Sequence, residues 1–344
     1  MIRFNCDYSE GAHPKVLEKL IQTNLEQTAG YGMDPYCLKA ATLIQERCER
    51  KDVEVHFLVG GTQTNLTVIS AALRPHQGVI AADTGHINTH ETGAIEATGH
   101  KVLALPSSDG KLTAQQIQVA YSEHFNDASY EHIVQPKLVY ISNPTEIGTI
   151  YSKAELYEIS QTCKKNDLIL YLDGARLGYA LCASDNDLDI PTIAQLCDAF
   201  YIGGTKIGAL FGEALVICNE SLKKDFRYII KQKGGMLAKG RLLGLQFIAL
   251  FEDHLYFEMA SHANEMAILI KAALIKKGYS FLVPSTTNQQ FPIVPNDVLD
   301  ILRENFEYAF IQKVDDKHSA VRFCTSWSTD LNDVQQLIAE IEKA

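Results

Sequence analysis

The sequence predicts an α/β protein, in which a doubly wound, mostly parallel sheet forms a large domain and a small α+β domain follows. Seven short apolar runs lie between residues 53 and 218, and they alternate with amphipathic stretches of helical spacing. After Gly234 and Gly235 this alternation stops. Runs that are apolar on both faces are typical of buried parallel strands. Strands that alternate with helices build doubly wound sheets.

The elements of the large domain follow from these patterns. The predicted strands are 55–59, 79–82, 102–105, 138–141, 168–172, 199–202 and 214–217. Capping boxes from Thr113 to Gln116 and from Ser152 to Glu155 begin two of the intervening helices. An amphipathic helix is predicted over 14–25, before the first strand.

The C-terminal part has a different pattern. A long helical region is predicted over 236–277, followed by strands at 290–294, 308–312 and 321–324 and by helices at 297–303 and 331–341. A chain of 344 residues exceeds the roughly 250 to 300 at which one core stops growing. We therefore predict two domains, with residues 1–240 forming the N-terminal segment and large domain and 241–344 the small domain.

Composition excludes several classes of partner. The 31 basic and 42 acidic residues give a net charge of −11 without a basic cluster, which argues against nucleic-acid binding. No apolar run approaches the roughly 20 residues that span a bilayer, and the first residues lack a signal-peptide pattern. The eight cysteines occur singly, as packing residues do in a reducing compartment. We expect a cytoplasmic protein without a membrane partner or a metal site.

The first motif with chemical content follows the first strand of the sheet. Segment 60–65, GGTQTN, makes a turn and opens a helix. A glycine turn lets backbone N–H groups and the helix N-terminus face an anion, with the Thr62 hydroxyl as an added donor. The alternative is an ordinary strand-to-helix turn with Thr62 as the N-cap.

A second motif ends the fifth strand, where Asp173 precedes Gly174, Ala175 and Arg176. Asp173 lies at the carboxyl edge of the sheet, where α/β proteins bind ligands. A buried carboxylate there needs a cationic partner or a role in accepting protons. Arg176 is a candidate partner, so a structural ion pair is the alternative to a ligand-binding role.

Lys206 follows the sixth strand in the sequence GGTK, 33 residues after Asp173. Burial in an apolar turn lowers the pKa of a lysine and frees its amine for Schiff-base chemistry. A lysine whose stem packs on the sheet is the alternative. Together, an anion-binding turn, an aspartate and a lysine are the groups that bind the phosphate, the ring nitrogen and the aldehyde of pyridoxal phosphate. The sequence therefore predicts pyridoxal 5'-phosphate as the cofactor.

With these motifs the sequence resembles the threonine aldolase and β-eliminating lyase family of fold-type I pyridoxal phosphate enzymes, from about residue 4 to 337. The resemblance implies that Lys206 is catalytic and forms the Schiff base with the cofactor, and that Asp173 contacts the ring nitrogen. It also implies that Gly61 and Thr62 hold the phosphate, while His86 stacks on the ring.

By the same resemblance, Arg176 lies near the cofactor and substrate, and Arg322 near the substrate carboxylate. Tyr31 falls on an active-site loop, which in such enzymes lies at a subunit interface. The resemblance thus implies a small-molecule amino-acid substrate and a homodimer or homotetramer. From the residues alone, Arg322 has apolar neighbours and needs a bidentate carboxylate, supplied by a protein acid or by a substrate.

The sequence departs from the family pattern at three places. Cys6 replaces a serine of the N-terminal motif, where the family binds substrate. Leu237 stands where aldolases tend to have a phosphate-binding arginine, and we expect Lys239 to substitute at a neighbouring subunit's cofactor. Segment 142–148, SNPTEIG, lacks the histidine that threonine aldolases usually have near the substrate hydroxyl.

His86 has a second interpretation, because His90 follows four residues later with Glu91 next to it. Two histidines at this spacing on a helix can bind a metal. No further Cys/His cluster completes such a site, and His86 follows a strand, as a loop ligand does. We therefore predict ring stacking for His86 and no metal.

These residues predict an aldolase that cleaves a β-hydroxy-α-amino acid of the threonine type to glycine and an aldehyde. His86 or an ordered water is the candidate base, and the sequence does not decide between them. A β-eliminating lyase that acts on an aromatic or sulfur amino acid is the alternative. A third hypothesis is a cofactor-free protein in which Asp173 and Arg176 only pair with each other.

Overall fold

A seven-stranded sheet lies at the centre of the protein, whose computed structural model describes residues 1–343. The strands are β1 (Ile2–Arg3), β2 (Glu54–Leu58), β3 (Gln77–Ala82), β4 (Val102–Leu105), β5 (Gln135–Ser142), β6 (Ile169–Asp173), β7 (Ala199–Gly203), β8 (Glu213–Ile217), β9 (Gln289–Gln290), β10 (Ile293–Pro295), β11 (Phe306–Glu307), β12 (Ala309–Lys313) and β13 (His318–Cys324). The helices are α1 (Pro14–Gln22), α2 (Pro35–Arg47), α3 (Gly61–Ala72), α4 (His86–Thr89), α5 (Ala114–Asn126), α6 (Lys153–Lys165), α7 (Leu177–Leu181), α8 (Ile190–Leu196), α9 (Glu220–Lys223), α10 (Phe226–Gln232), α11 (Arg241–Glu252), α12 (Leu255–Lys276), α13 (Asn296–Arg303) and α14 (Leu331–Lys343).

All seven strands predicted for the large domain form this one sheet, in the order β2-β8-β7-β6-β5-β3-β4. Strands from β7 to β4 pair in parallel, whereas β8 pairs antiparallel with both of its neighbours. Only nine residues connect β7 to β8, and a parallel crossover needs about a dozen or more. The chain therefore turns straight back, and Glu213, the first residue of β8, lies beside the end of β7.

Helices cover both faces of the sheet, which buries its apolar side chains in two layers. On β7, Ala199 and Tyr201 belong to the core shared with α3 and α10, while Phe200 and Ile202 belong to the core shared with α2, α6 and α11. Alternate residues of a strand point to opposite faces, so strands covered on both sides are apolar throughout. The predicted doubly wound architecture is confirmed.

Three predicted elements differ from the structure. The first helix ends at Gln22 rather than near residue 25. The long helical region is two helices, because His254 adopts a positive φ of 60° between α11 and α12. The single strand predicted at 290–294 is split into β9 and β10, since Pro292 between them lacks an N–H for a ladder hydrogen bond.

The C-terminal part has its own small sheet, in which β13 pairs with β9, β10 and β12. A separate apolar cluster lies beneath it, formed by residues of α12, α13 and α14 together with Phe4. The N-terminal strand β1 pairs with β11, so the first residues of the chain pack on this part. The division into domains at residue 240 stays a prediction.

Both predicted capping boxes are present at the starts of α5 and α6. The Thr113 hydroxyl accepts from the N–H of Gln116 at 3.2 Å, and the Ser152 hydroxyl accepts from the N–H of Glu155 at 3.3 Å.

Among residues 1–343, no helix is both long and apolar enough to cross a bilayer.

Candidate active site

Loops that follow five strands meet at one edge of the central sheet, around a cavity of about 260 Å³. Six of the ten predicted site residues line it, namely Gly61, Thr62, His86, Asp173, Arg176 and Lys206. Tyr8, Ser142, Glu146, Tyr201 and Glu213 line it as well. Parallel strands end at a common edge, so residues far apart in sequence come together there.

Asp173 ends β6, and its carboxylate is buried among neutral hydrogen-bond donors. Oδ2 accepts from the Tyr140 hydroxyl at 2.7 Å and from Asn65 Nδ2 at 3.0 Å. Oδ1 accepts from the Tyr201 hydroxyl and from the N–H of Ala175 at 3.0 Å. A buried carboxylate is costly unless such donors surround it. Asp173 is therefore held in place without a cationic partner.

Arg176 pairs with Asp7 rather than with Asp173, so the predicted alternative of an Asp173–Arg176 ion pair is wrong. Its Nε and Nη2 atoms donate to the two Asp7 carboxylate oxygens at 2.7 and 2.9 Å. Burial would raise the pKa of Asp7, but the charges of Arg176 and Lys206 and two hydrogen bonds lower it to about 2. This bidentate pair ties the N-terminal segment to the loop after β6.

Lys206 lies in the turn after β7, and its Nζ has no hydrogen-bond or ion-pair partner in the part of the chain that the structure describes. Burial and the positive charge of Arg176 lower the pKa of Lys206, although nearby carboxylates oppose the shift. An amine with a lowered pKa is more often neutral and therefore nucleophilic. The side chain thus has the properties that Schiff-base chemistry requires.

Glu213 is a buried acid beside this lysine that the sequence analysis missed. Its Oε1 accepts from the Thr205 hydroxyl at 3.1 Å, and its Oε2 has no partner. Burial raises the pKa of Glu213, while the charge of Lys206 opposes the shift. The short connection between β7 and β8 is the sequence signal that could have placed Glu213 at this edge.

The glycine turn after β2 leads directly into α3, with Gly60 as the N-cap and no side-chain cap. The alternative in which Thr62 is the N-cap is therefore wrong. Thr62 is exposed on the cavity in the first turn, where backbone N–H groups lack helical partners. A Cβ atom at Gly61 would lie 2.9 Å from the Tyr201 hydroxyl, so a side chain there would disturb the Asp173 cluster.

His86 begins the short helix α4, and a buried acid holds its ring. Its Nδ1 lies 2.8 Å from Glu91 Oε1, which also accepts from Asn65 Nδ2 at 2.7 Å. Asn65 donates to Asp173 too, so one amide links the two acids. Burial disfavours the charged ring, but the Glu91 hydrogen bond and the charges of Asp173 and Glu91 raise the pKa of His86 overall.

Glu146 lines the cavity from the segment after β5, which lacks the histidine of the family pattern. Its Oε1 accepts from the N–H of His86 at 2.8 Å and from the Ser142 hydroxyl at 2.7 Å. Burial and the charge of Asp173 raise the pKa of Glu146, although its hydrogen bonds oppose this. No role for Glu146 was predicted from the sequence of this segment.

Arg322 lies on β13, outside the residues that line the cavity. It donates from Nη1 to Gln289 Oε1 at 3.1 Å and from Nη2 to the Asn5 carbonyl at 2.7 Å. Its buried Nε has no partner, and no carboxylate among residues 1–343 forms an ion pair with it. The half-buried guanidinium therefore pairs with neutral oxygens only, although a carboxylate is the partner that matches its fork of donors.

The remaining three predicted residues lie away from the cavity within one chain. Cys6 precedes Asp7, and its Sγ lies 3.2 Å from Ser9 Oγ. Tyr31 is 47% exposed, and its N–H donates to the carbonyl of Ala238, which precedes the exposed Lys239. The structure therefore places Tyr31 and Lys239 together on one surface.

These features fit pyridoxal phosphate. The N-terminus of α3 offers free N–H groups for a phosphate, Asp173 offers a fixed carboxylate for a ring nitrogen, and Lys206 offers an unpartnered amine for an aldehyde. No group of three His, Cys, Asp or Glu side chains within residues 1–343 is arranged to hold a metal ion.

Such an α/β sheet with these three groups at its edge defines a pyridoxal phosphate-dependent enzyme of fold-type I. Comparison with known families agrees, since the model of the beta-eliminating lyase family matches residues 6–296. The chain belongs to this family.

Individual relatives show which enzymes the chain resembles in sequence and in fold. The chain is 31% identical to the low specificity L-threonine aldolase of a Pseudomonas species, over 98% of this chain and 96% of the relative. A solved structure of Leishmania major threonine aldolase is 49% identical, covers 100% of this chain and 99% of its own, and superposes with a TM-score of 0.97. Thermus thermophilus aspartate aminotransferase shares the fold at 14% identity, with a TM-score of 0.72 over 99% of this chain and 96% of its own.

Proposed function

We propose that this protein is a pyridoxal phosphate-dependent aldolase that cleaves a threonine-like β-hydroxy-α-amino acid to glycine and an aldehyde. The observation that carries the proposal is the unpartnered amine of Lys206 in one cavity with Asp173 and the N-terminus of α3. The names of the relatives favour aldol cleavage over the alternative, β-elimination from an aromatic or sulfur amino acid.

Each end of the cofactor has a matching group in this chain. Gly61 and Thr62 would hold the phosphate, Lys206 the aldehyde and Asp173 the ring nitrogen, with the His86 ring beside them. Bound pyridoxal phosphate supplies an aldehyde that condenses with amines and a ring that withdraws electrons from the α carbon of an amino acid. The Asp173 carboxylate would keep a proton on the ring nitrogen, and the lowered pKa of Lys206 would provide a neutral amine.

Arg322 is the proposed receptor for the α-carboxylate of the substrate. Asp7 already satisfies Arg176, whereas Arg322 keeps a buried Nε without a partner. Arg176 would then shape the cavity and contact cofactor or substrate from its exposed edge. Cys6, next to Asp7, would lie close to the same substrate carboxylate.

The substitution Arg322→Lys tests this role. It replaces a planar fork by a point charge, and loss of a charge-assisted pair is worth about 1.5 to 3 kcal/mol. We expect KM for L-threonine to rise by about one to two orders of magnitude, with cofactor absorbance unchanged. Arg303→Lys, on the exposed face of α13, is the matched control. An unchanged KM would mean that another group binds the carboxylate.

We also propose a homodimer or homotetramer whose interface includes the surface around Tyr31. Large apolar side chains are exposed there, including Tyr31, Met33, Leu38 and Tyr228. Lys239 would reach a neighbouring subunit's cofactor from this surface.

The eight cysteines are all unpaired in the structure, which supports a reducing, cytoplasmic location.

Product analysis tests the proposed reaction. Purified protein loaded with pyridoxal phosphate should convert L-threonine to glycine and acetaldehyde in equal amounts, without ammonia. Release of ammonia from a tyrosine or cysteine substrate, with no glycine from any β-hydroxy-α-amino acid, would instead establish the eliminating lyase.

A further inference from the structure

The carboxyl group of Glu146 has one oxygen fixed by the protein and one facing the cavity. Oε1 accepts from the N–H of His86 and from the Ser142 hydroxyl. Oε2 forms no hydrogen bond with another residue of 1–343, and it is not completely shielded from solvent. The protein therefore orients this acid through Oε1 and leaves Oε2 available to a bound molecule.

The hydrogen bonds on Oε1 fit both protonation states of Glu146. The Ser142 hydroxyl lies 2.7 Å from Glu146 Oε1 and 3.2 Å from the Tyr140 hydroxyl, which donates to Asp173. When Glu146 is ionised, Ser142 donates to it. When Oε2 carries a proton, Oε1 remains a carbonyl oxygen that still accepts from Ser142 and from the N–H of His86. A group that takes up and returns a proton needs surroundings that tolerate both states.

Titratable groups of both signs lie around Glu146. Asp173 on β6, His86 on α4 and Lys206 after β7 line the same cavity, while Tyr140 on β5 contacts Asp173 and Glu91 after α4 contacts His86. Burial and then the Asp173 charge raise the pKa of Glu146. A general base is most effective when its pKa lies close to the working pH.

His86 is the other candidate acceptor, and Glu91 holds its Nδ1 at 2.8 Å. Burial opposes the charged ring, but the Glu91 hydrogen bond and the charges of Asp173 and Glu91 raise the pKa of His86. The predicted stacking of this ring on the cofactor would give His86 a positioning role. Glu146 Oε2 is an acceptor on the same wall that forms no hydrogen bond with another residue of 1–343.

We propose that Glu146 is a catalytic residue of the cleavage and that its Oε2 takes the proton of the substrate β-hydroxyl, an inference that rests on the proposed aldol reaction. The proton passes from the hydroxyl oxygen to Oε2, and the O–H electron pair becomes the second bond of the aldehyde carbonyl. The Cα–Cβ bond breaks with its electron pair left on Cα. One proton then returns to Cα to complete glycine, so the step needs no co-reactant.

The substitution Glu146→Gln keeps the shape of the side chain and removes the base. Glycine has no β-hydroxyl, so exchange of its α-protons with deuterated water needs the cofactor but not the removal of a hydroxyl proton. NMR follows this exchange. In the loaded variant we expect kcat for L-threonine to fall by about 10²- to 10⁴-fold. Glycine exchange, cofactor absorbance and the spectral titration with glycine should match those of the wild type and of Glu158→Gln, an exposed control on α6.

Cleavage at the wild-type rate in Glu146→Gln would overturn the inference while leaving the aldolase function intact. A wild-type protein that neither cleaves threonine nor exchanges glycine protons would overturn the proposed function and the inference with it. These two failures are distinguishable because the first is seen only in the variant.

Ser142→Ala provides a second test if Glu146→Gln does not fold or bind cofactor. The Ser142 hydrogen bond lowers the pKa of Glu146, so its removal should raise that pKa. Activity requires ionised Glu146 and falls as the pH drops through its pKa, so the acid limb of kcat/KM should move to higher pH. An acid limb at the same pH in Ser142→Ala and wild type would contradict the role of Glu146.

Discussion

Replacing Lys206 by alanine should abolish covalent attachment of the cofactor and nearly all turnover. Loss of one positioned acid–base group costs roughly 10²- to 10⁴-fold, and Lys206→Ala also loses the amine that reacts with the aldehyde. We therefore expect threonine cleavage to fall by more than about 10⁴-fold. The absorbance spectrum, taken after dialysis has removed free cofactor, measures the loss of attachment. The rate of glycine release measures the loss of turnover.

Two controls separate chemistry from folding in this experiment. Lys206→Arg keeps a long basic side chain beside Glu213 but cannot form a Schiff base with the cofactor aldehyde, so it should be as inactive as the alanine variant. Lys164→Ala, an exposed lysine on α6, should retain full activity. A Lys206→Ala protein that keeps a borohydride-reducible adduct would assign the aldehyde to another lysine.

Replacing Asp173 by asparagine should preserve cofactor binding and greatly slow turnover. The neutral amide can occupy the same space, but it cannot stabilise a proton on the ring nitrogen. Removal of one preorganised electrostatic contact costs roughly 10²- to 10³-fold in kcat. Stopped-flow measurement of threonine cleavage by the loaded Asp173→Asn protein checks this expectation.

Asp173→Ala should have an additional effect on stability. It leaves the Tyr140, Asn65 and Tyr201 donors unpaired, and each buried unpaired donor costs about 1 to 3 kcal/mol. Thermal unfolding should therefore separate the alanine variant from Asp173→Asn and from Asp300→Asn, an exposed control on α13. Normal turnover in both Asp173 variants would show that no carboxylate is needed at the ring nitrogen.

The central sheet could be predicted from the sequence because its strands are covered on both faces. Such strands are continuously apolar, so 199–202 and 168–172 stand out without any knowledge of their partners. The direction of β8 was harder to foresee, since an apolar strand has the same pattern whether it runs parallel or antiparallel. Local sequence likewise did not locate the break at His254 between α11 and α12.

The positions of candidate site residues close to strand ends were also predictable. Asp173 ends β6, Gly61 and Lys206 come three residues after β2 and β7, and the sheet brings these strand ends to one edge. The partner of Arg176 was not predictable, because Asp7 lies 169 residues away and reaches it only through the packing of the N-terminal segment. Glu213 was missed because its position depends on the reversed direction of β8.

Reduction of the loaded protein with borohydride, followed by peptide mass spectrometry, tests most directly that this sheet edge is a pyridoxal phosphate site. The reagent fixes the cofactor on the lysine to which it is attached. We predict a single modified peptide, which contains Lys206 and is absent in Lys206→Arg. Attachment to any other lysine, or no incorporation at saturating cofactor, would contradict the account.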